Sequence, residues 1–165
     1  MNLSFGGHMM KLKILIADED SVSRNLLKSS LLHWGCEVIA VEDGEQACRE
    51  LQANNVDLCI LSWKNSKLNG LEICRWIRQA ELKKTPYAIL LTENPNQEEI
   101  RAAYLAGAND FLTKPLRLGD IRRRISAVAA KIAQVRSMYS QSRLMDPLEC
   151  YRLDLALYEK AHGRA

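Results

Sequence analysis

Polar side chains that could handle a phosphoryl group follow several short apolar runs of this chain. The adjacent carboxylates Asp18 and Glu19 follow the run KILIA, and they are oxygen ligands of the kind that hard cations take. The hydroxyl of Thr92 follows AILL and the ammonium of Lys114 follows DFLT, and both groups bind phosphate oxygens. Ser62 ends the run LCIL, where the same chemistry needs an acceptor carboxylate. A carboxylate there would form an aspartyl phosphate, with metal and lysine offsetting the developing charge.

These residues need a scaffold that brings the ends of several strands together. Between residue 11 and about residue 135, short apolar runs alternate with helical patterns of about 10–15 residues, which predicts right-handed βαβ units. In open sheets of this kind, a site lies beyond the carboxyl ends of the strands. We therefore predict an α/β, doubly wound (βα)5 fold with a parallel five-stranded sheet and an extended C-terminal helix that begins near Leu116.

Two helix boundaries are predicted from local signals. Ser21 is the expected N-cap of the first helix. The third helix is expected to run through NGLEICRWIRQAEL, with Leu71, Cys74, Ile77 and Leu82 near one face.

The composition is typical of a globular protein, with 47% hydrophobic and 26% charged residues in 165. No apolar run approaches the ~20 residues needed to cross a bilayer, so no membrane partner is expected. The 5 cysteines match no zinc or redox spacing, which favours reduced thiols in a cytoplasmic protein. Residues 114–165 hold 11 basic and 5 acidic residues, but these interleave with an apolar stripe, so we expect a solvated helix face and no nucleic-acid partner.

In their order and spacing, these segments resemble the receiver domain of two-component response regulators over residues 11 to about 133. ILIADED is similar to that family's first strand with its acidic pair. DLCILS followed by LNGLEI is similar to its third strand and the start of its third helix, and AGANDFLTKP is similar to its fifth strand. The resemblance implies a flavodoxin-like fold, a signalling role without catalysis, and switch and phosphate-contact residues at Thr92, Phe111 and Lys114.

The resemblance also places a departure at Ser62. In the family, the phosphoacceptor Asp lies eight residues before the Gly that opens the third helix, and counting back from Gly70 gives Ser62. Asp57 starts the same strand about 16 Å away, at roughly 3.3 Å per residue, so it is not a substitute acceptor. Lys64 lies where the family's backbone carbonyl ligates magnesium, and its side chain adds a positive charge to this site loop.

A serine hydroxyl needs a base to become a nucleophile, and no histidine falls at a predicted strand end. We therefore expect a pseudo-receiver, which acts by protein–protein interaction or dimerisation without aspartyl phosphorylation. At most a weak magnesium site remains at Asp18 and Glu19, and no other cofactor is expected. Lys114 is free to pair with either carboxylate. Two further explanations stay open: the polar residues are relics that satisfy one another, or Ser62 is an engineered replacement.

The last predicted helix carries a heptad seam. Apolar residues recur at spacings of three and four: Leu118, Ile121, Ile125, Val128, Ile132, Val135 and Tyr139. The first half is expected to pack on the sheet, and the second half to pair with the same helix of another chain as a dimer stalk. The alternative is packing against the chain's own tail, where Asp146 before Pro147 signals a further helix.

Three segments and two outputs are expected. Residues 1–9 form a leader, either vector-derived or disordered, residues 10–133 form the receiver domain, and residues 134–165 form a helical extension or linker. The favoured output is a non-enzymatic signalling module that contacts a protein partner through the face of its last two helices. The alternative is the regulatory N-terminal receiver of a longer multidomain output enzyme, because LMDPL after a helical stalk is faintly similar to the entry into a diguanylate cyclase domain.

Overall fold

The structure is a computed structural model, and it describes the backbone of residues 11–141 and the side chains of residues 11–138. Strands and helices alternate throughout this part of the chain. In chain order they are β1 (Lys13–Ala17), α1 (Ser21–His33), β2 (Glu37–Val41), α2 (Gly44–Ala53), β3 (Leu58–Ser62), α3 (Gly70–Gln79), β4 (Tyr87–Thr92), α4 (Gln97–Leu105), β5 (Asp110–Thr113) and α5 (Leu118–Gln141).

The strands form one parallel sheet in the order β2-β1-β3-β4-β5. This order confirms the doubly wound, flavodoxin-like fold that the alternation of patterns predicts. The register pairs Ser62 with Leu91 and Thr92 with Thr113. The carboxyl ends of neighbouring strands therefore meet at one edge of the sheet, where the polar residues follow them.

The central strands are apolar because helices cover both faces of the sheet. All five residues of β3 are buried, and Leu15, Ile60 and Leu90 on three neighbouring strands have no exposed surface. Burying one such side chain contributes about 1.5–3 kcal/mol. The buried sheet therefore holds the strand ends in fixed positions, and the polar groups lie in the loops that follow them.

Two predicted helix boundaries are wrong by a few residues. The N-cap of α1 is Asp20, not Ser21, because the Asp20 carboxylate accepts two backbone N–H groups of the first turn. The helix α3 ends at Gln79 and does not reach Leu82, because Ala80 turns to an extended conformation with ψ 141°. Neither difference moves a strand end, so the site is unaffected.

The chain divides into two compact units, Met1–Ser126 and Ala127–Ala165, and the division falls within α5. Three seam residues belong to the first unit: Ile121 and Ile125 are 1% and 0% exposed, whereas Leu118 is 39% exposed. The other seam residues whose side chains are described belong to the second unit: Val128, which is 4% exposed, and the partly buried Ile132 and Val135.

Some sequence expectations lie outside the described residues. These are the leader at residues 1–9, the side chain of Tyr139, the helix signal at Asp146 and Pro147, and the LMDPL segment. Within residues 11–141, no helix is both long enough and apolar enough to cross a membrane.

Candidate functional site

A buried ion pair joins the ends of β1 and β5. Asp18 directly follows β1 and is 1% exposed, and its Oδ2 accepts a hydrogen bond from Nζ of Lys114 at 2.8 Å. Its Oδ1 accepts the backbone N–H of Asp20 at 3.1 Å. The Lys114 side chain is 16% exposed, so the pair lies largely out of water. Each charge compensates the other, so neither is buried without a counter-ion at this edge of the sheet.

The carboxylate of Glu19 contacts the loop between β3 and α3. Its Oε2 accepts the backbone N–H of Ser66 at 3.1 Å. Arg24 of α1 reaches back to the same acidic loop and donates to the carbonyl oxygens of Asp18 at 2.6 Å and Glu19 at 3.2 Å. Its guanidinium also donates to Glu42 at 3.0 Å. Arg24 therefore fixes the backbone that carries both carboxylates, a role that the sequence analysis misses.

The hydroxyl of Ser62 is buried at the carboxyl end of β3. Ser62 is 4% exposed, and its Oγ donates to the carbonyl oxygen of Lys64 at 3.2 Å. Among the side chains of residues 11–138, no histidine or carboxylate hydrogen-bonds this hydroxyl, so no general base contacts it. Gly70 opens α3 against the same strand end, where a Cβ would lie 2.6 Å from the carbonyl oxygen of Ser62. Only glycine allows this close approach.

Asn65 joins the ends of β1 and β3 through hydrogen bonds to their last carbonyl groups. Its Nδ2 donates to the carbonyl oxygens of Ala17 at 3.2 Å and Ser62 at 3.1 Å. Its Oδ1 is buried without a hydrogen-bond partner in the described part of the chain, which costs about 1–3 kcal/mol. The side chain stabilises the loop through its donor while its acceptor is left unsatisfied.

The loop between β3 and α3 is also tied to the start of α2. Lys67 lies in the left-handed region at φ 66°, and its Nζ pairs with Oδ2 of Asp43 at 2.9 Å. Asp43 is the N-cap of α2. The next residue, Gly44, packs so closely that a Cβ would lie 2.2 Å from the carbonyl oxygen of Leu68. The loop that follows Ser62 is therefore held by α2 as well as by Glu19.

The loops at the carboxyl ends of the strands surround a cleft beside Asp18, Ser62 and Lys114. Two polar contacts lie on its β4 side. The hydroxyl of Thr92, which is 7% exposed, donates to Oε2 of Glu99 at 3.3 Å. Lys64 and Glu93 pair at 2.8 Å, with side chains 72% and 62% exposed. The hydrogen bond to Glu93 raises the pKa of Lys64, and the hydrogen bond from Lys64 lowers the pKa of Glu93. An exposed pair of this kind adds little to stability, but it links the two loops beside Ser62.

Two residues named by the sequence analysis make their contacts elsewhere. Phe111 on β5 is half-buried, and its ring meets that of Tyr104 edge to face with centroids 6.2 Å apart. Asp57 precedes β3, at the opposite end of that strand from Ser62. Its buried carboxylate accepts the backbone N–H of Lys13 at 2.8 Å and a hydrogen bond from Lys84. Asp57 is therefore engaged at the other edge of the sheet.

The cleft offers few free ligands to a metal ion. Within the part of the chain that the structure describes, no group of three or more His, Cys, Asp or Glu residues could hold one. The carboxylate of Asp18 is bound by an ammonium, and that of Glu19 by a backbone N–H. Hard cations need several oxygen ligands. As arranged, these residues do not fit a magnesium ion.

Comparison with known proteins identifies the family. The model of the family described as response regulator receiver domain matches residues 14–126. The chain belongs to this family. The match includes the carboxyl end of every strand of the sheet, so all the strand-end residues described above lie within the receiver. Receiver domains are signalling modules, and this chain is accordingly assigned to two-component signalling.

Three similar receivers illustrate the match. The chain is 31% identical over 119 residues to the alkaline phosphatase synthesis transcriptional regulatory protein PhoP of Bacillus subtilis, covering 72% of this chain and 49% of PhoP. It is 28% identical over 119 residues to the chemotaxis protein CheY1 of Helicobacter pylori, covering 71% and 96%. The receiver domain of the sensor histidine kinase PA1611 from Pseudomonas aeruginosa, solved with magnesium in its active site cleft, has a TM-score of 0.65 at 28% identity, covering 72% and 97%. The chain thus spans about half the length of PhoP.

Proposed function

We propose that this receiver is a pseudo-receiver, which signals through protein–protein contacts and is not switched by aspartyl phosphorylation. The proposal rests on Ser62, which ends β3 eight residues before Gly70 opens α3. In the family pattern, this position belongs to the phosphoacceptor carboxylate. The close approach of Gly70 to the Ser62 carbonyl supports this register, because a helix that started one residue earlier or later would place a side chain there.

The environment of the Ser62 hydroxyl carries the proposal. The hydroxyl donates its hydrogen to the Lys64 carbonyl at 3.2 Å and touches no base among the described residues. A serine without a base is a poor nucleophile. Lys114, which would offset the developing charge at an acceptor, is bound to Asp18 instead. Phosphoryl transfer to Ser62 is therefore not expected.

Intact mass spectrometry tests this proposal. Wild-type chain, Ser62→Asp and the uncharged control Ser62→Asn are incubated with a small phosphodonor and Mg²⁺. We expect the wild type and Ser62→Asn to stay unmodified, because neither has an acceptor carboxylate at the end of β3. A phosphoryl mass on Ser62→Asp alone would show that the rest of the pocket can still support the transfer. A phosphoryl mass on the wild type would refute the proposal.

A second candidate function is the regulatory receiver of a longer protein. The match covers about half of PhoP but 96% of CheY1, so receivers of both lengths are among the relatives. The observation that favours an output domain such as a diguanylate cyclase is the LMDPL segment after the last described helix. The sequence of the native gene distinguishes this candidate from a receiver that acts through a separate partner. An output domain in frame after the receiver supports the longer protein, and a stop codon after Ala165 supports a separate signalling partner.

The partners and location proposed for the receiver follow from α5 and from the cysteines. We propose a homodimer through the end of α5, where Ile132 and Val135 are only partly buried. The earlier seam residues Ile121, Ile125 and Val128 are 1%, 0% and 4% exposed, so they are not available to another chain. The described cysteines are free thiols, which supports a reducing, cytoplasmic setting: Cys36, Cys48, Cys59 and Cys74.

A further inference from the structure

The groups that the family resemblance assigns to a metal ion are each bound by a donor of this chain. Two carboxylates and one backbone carbonyl accept these hydrogen bonds, at distances of 2.8, 3.1 and 3.2 Å. The pairs, acceptor first, are Asp18 with the ammonium of Lys114, Glu19 with the N–H of Ser66, and the carbonyl of Lys64 with the hydroxyl of Ser62. Lys114 follows β5 and Ser66 lies in the loop between β3 and α3, so two of the three contacts join segments that are far apart in the sequence, and the Ser62 contact is local to that loop.

We propose that this receiver keeps its metal cleft closed, with the ammonium of Lys114 as the permanent counter-ion of Asp18 in place of a divalent cation. The inference rests on the proposed function, because it takes Ser62 as the replacement of the acceptor carboxylate. A carboxylate at the end of β3 would compete for Lys114. A serine hydroxyl does not, and Lys114 pairs with Asp18 instead.

A divalent cation at Asp18 would have to displace this ammonium. The positive charge of Lys114 also acts on groups across the cleft. The pKa of Glu93 is lowered mainly by the hydrogen bond and charge of Lys64, and further by the charge of Lys114. A second cation beside Asp18 would be repelled by the same charge. Ser62 contributes no negative charge to balance it.

Glu19 cannot act as a metal ligand in this cleft without giving up its hydrogen bond from the N–H of Ser66. If its carboxylate turned to a cation, the N–H of Ser66 would lose its acceptor. The loop that carries Ser66 cannot readily follow, because Lys67 fixes it to Asp43 at 2.9 Å. A cation would therefore disrupt contacts on both sides of the cleft and gain only two carboxylate ligands.

Binding of Mn²⁺ to the full-length chain, measured as loss of the free-ion EPR signal, tests the inference. The wild type is compared with Lys114→Met and with the control Lys114→Met/Asp18→Asn. We expect no saturable wild-type binding with Kd below about 1 mM, the weak end of carboxylate sites for hard cations. Lys114→Met is expected to bind at least about tenfold more tightly, and the control to lose this gain because the carboxylate is absent.

Two results would overturn the inference: a wild type that binds Mn²⁺ as tightly as Lys114→Met, or a folded Lys114→Met that gains no affinity. If Lys114→Met does not fold, hydrogen exchange of the Ser66 amide in the wild type decides. Exchange unchanged by added Mg²⁺ supports the closed cleft, and faster exchange refutes it. A wild type that binds Mn²⁺ but gains no phosphoryl mass would remove this inference and leave the proposed function in place.

Discussion

Replacing Lys114 by methionine is expected to destabilise the receiver strongly. Methionine is of similar length but uncharged, so the carboxylate of Asp18, which is 1% exposed, is left without its counter-ion. Removing one partner of a buried ion pair costs about 3–5 kcal/mol. The Lys114 side chain is 16% exposed, so water can relieve part of this penalty, and we expect a loss of about 2–4 kcal/mol in the free energy of unfolding.

The reciprocal change, Asp18→Asn, is expected to cost less. Asparagine keeps an oxygen that can accept the N–H of Asp20, and the more exposed ammonium of Lys114 can turn toward water. We expect a loss of about 1–2 kcal/mol. The double variant removes both charges together, so its loss should fall about 2 kcal/mol short of the sum of the single losses.

Urea unfolding at neutral pH measures these differences, provided that the slope of free energy against urea stays constant. Lys64→Met is the matched control, because Lys64 and Glu93 are also 2.8 Å apart but are exposed to water. We expect no measurable shift of its midpoint. If Lys114→Met costs no more than Lys64→Met, the ammonium does not hold Asp18 in solution, and the reasoning behind the closed cleft fails.

Two further predictions concern the start of α3 and the end of α5. Gly70→Ala should lower the free energy of unfolding by about 1–3 kcal/mol, because its Cβ would lie 2.6 Å from the Ser62 carbonyl oxygen. The control Gly119→Ala, where no atom lies within 4 Å of the added Cβ, should be neutral or stabilising in urea unfolding. Equal losses at both sites would contradict the close approach of Gly70. Ile132→Glu should convert a dimer to a monomer in light scattering, whereas the off-seam control Gln134→Glu should not. A wild type that is monomeric at every concentration would rule out the dimer stalk.

The fold could be predicted because its signals are local. KILIA and LCILS are apolar runs too short for helices and bounded by polar residues, which is typical of strands buried on both faces. Parallel topology then places their carboxyl ends at one edge of the sheet. For this reason the sequence alone could group Asp18, Ser62, Thr92 and Lys114 before any distance was known.

The contacts between the loops could not be predicted in the same way. Arg24 and Asn65 bind backbone carbonyls, and every residue type presents the same carbonyl, so the sequence gives no sign of the partner. The first N-cap shows a similar limit. Asp20 and Ser21 are both good caps, and the choice depends on the extended conformation at Asp20, with φ −70° and ψ 108°.

The loss of one carboxylate explains both halves of the proposal. In the family pattern, three carboxylates surround one lysine, and a divalent cation balances the excess negative charge. With Ser62 in place of the third, Asp18 pairs with Lys114, and the exposed Glu19 is stabilised by water and by the N–H of Ser66. The electrostatic demand for a metal therefore falls together with the capacity to accept a phosphoryl group. In the proposed pseudo-receiver, the same missing charge at Ser62 would account both for the lack of phosphorylation and for the closed cleft, so the proposal needs no separate blocking element.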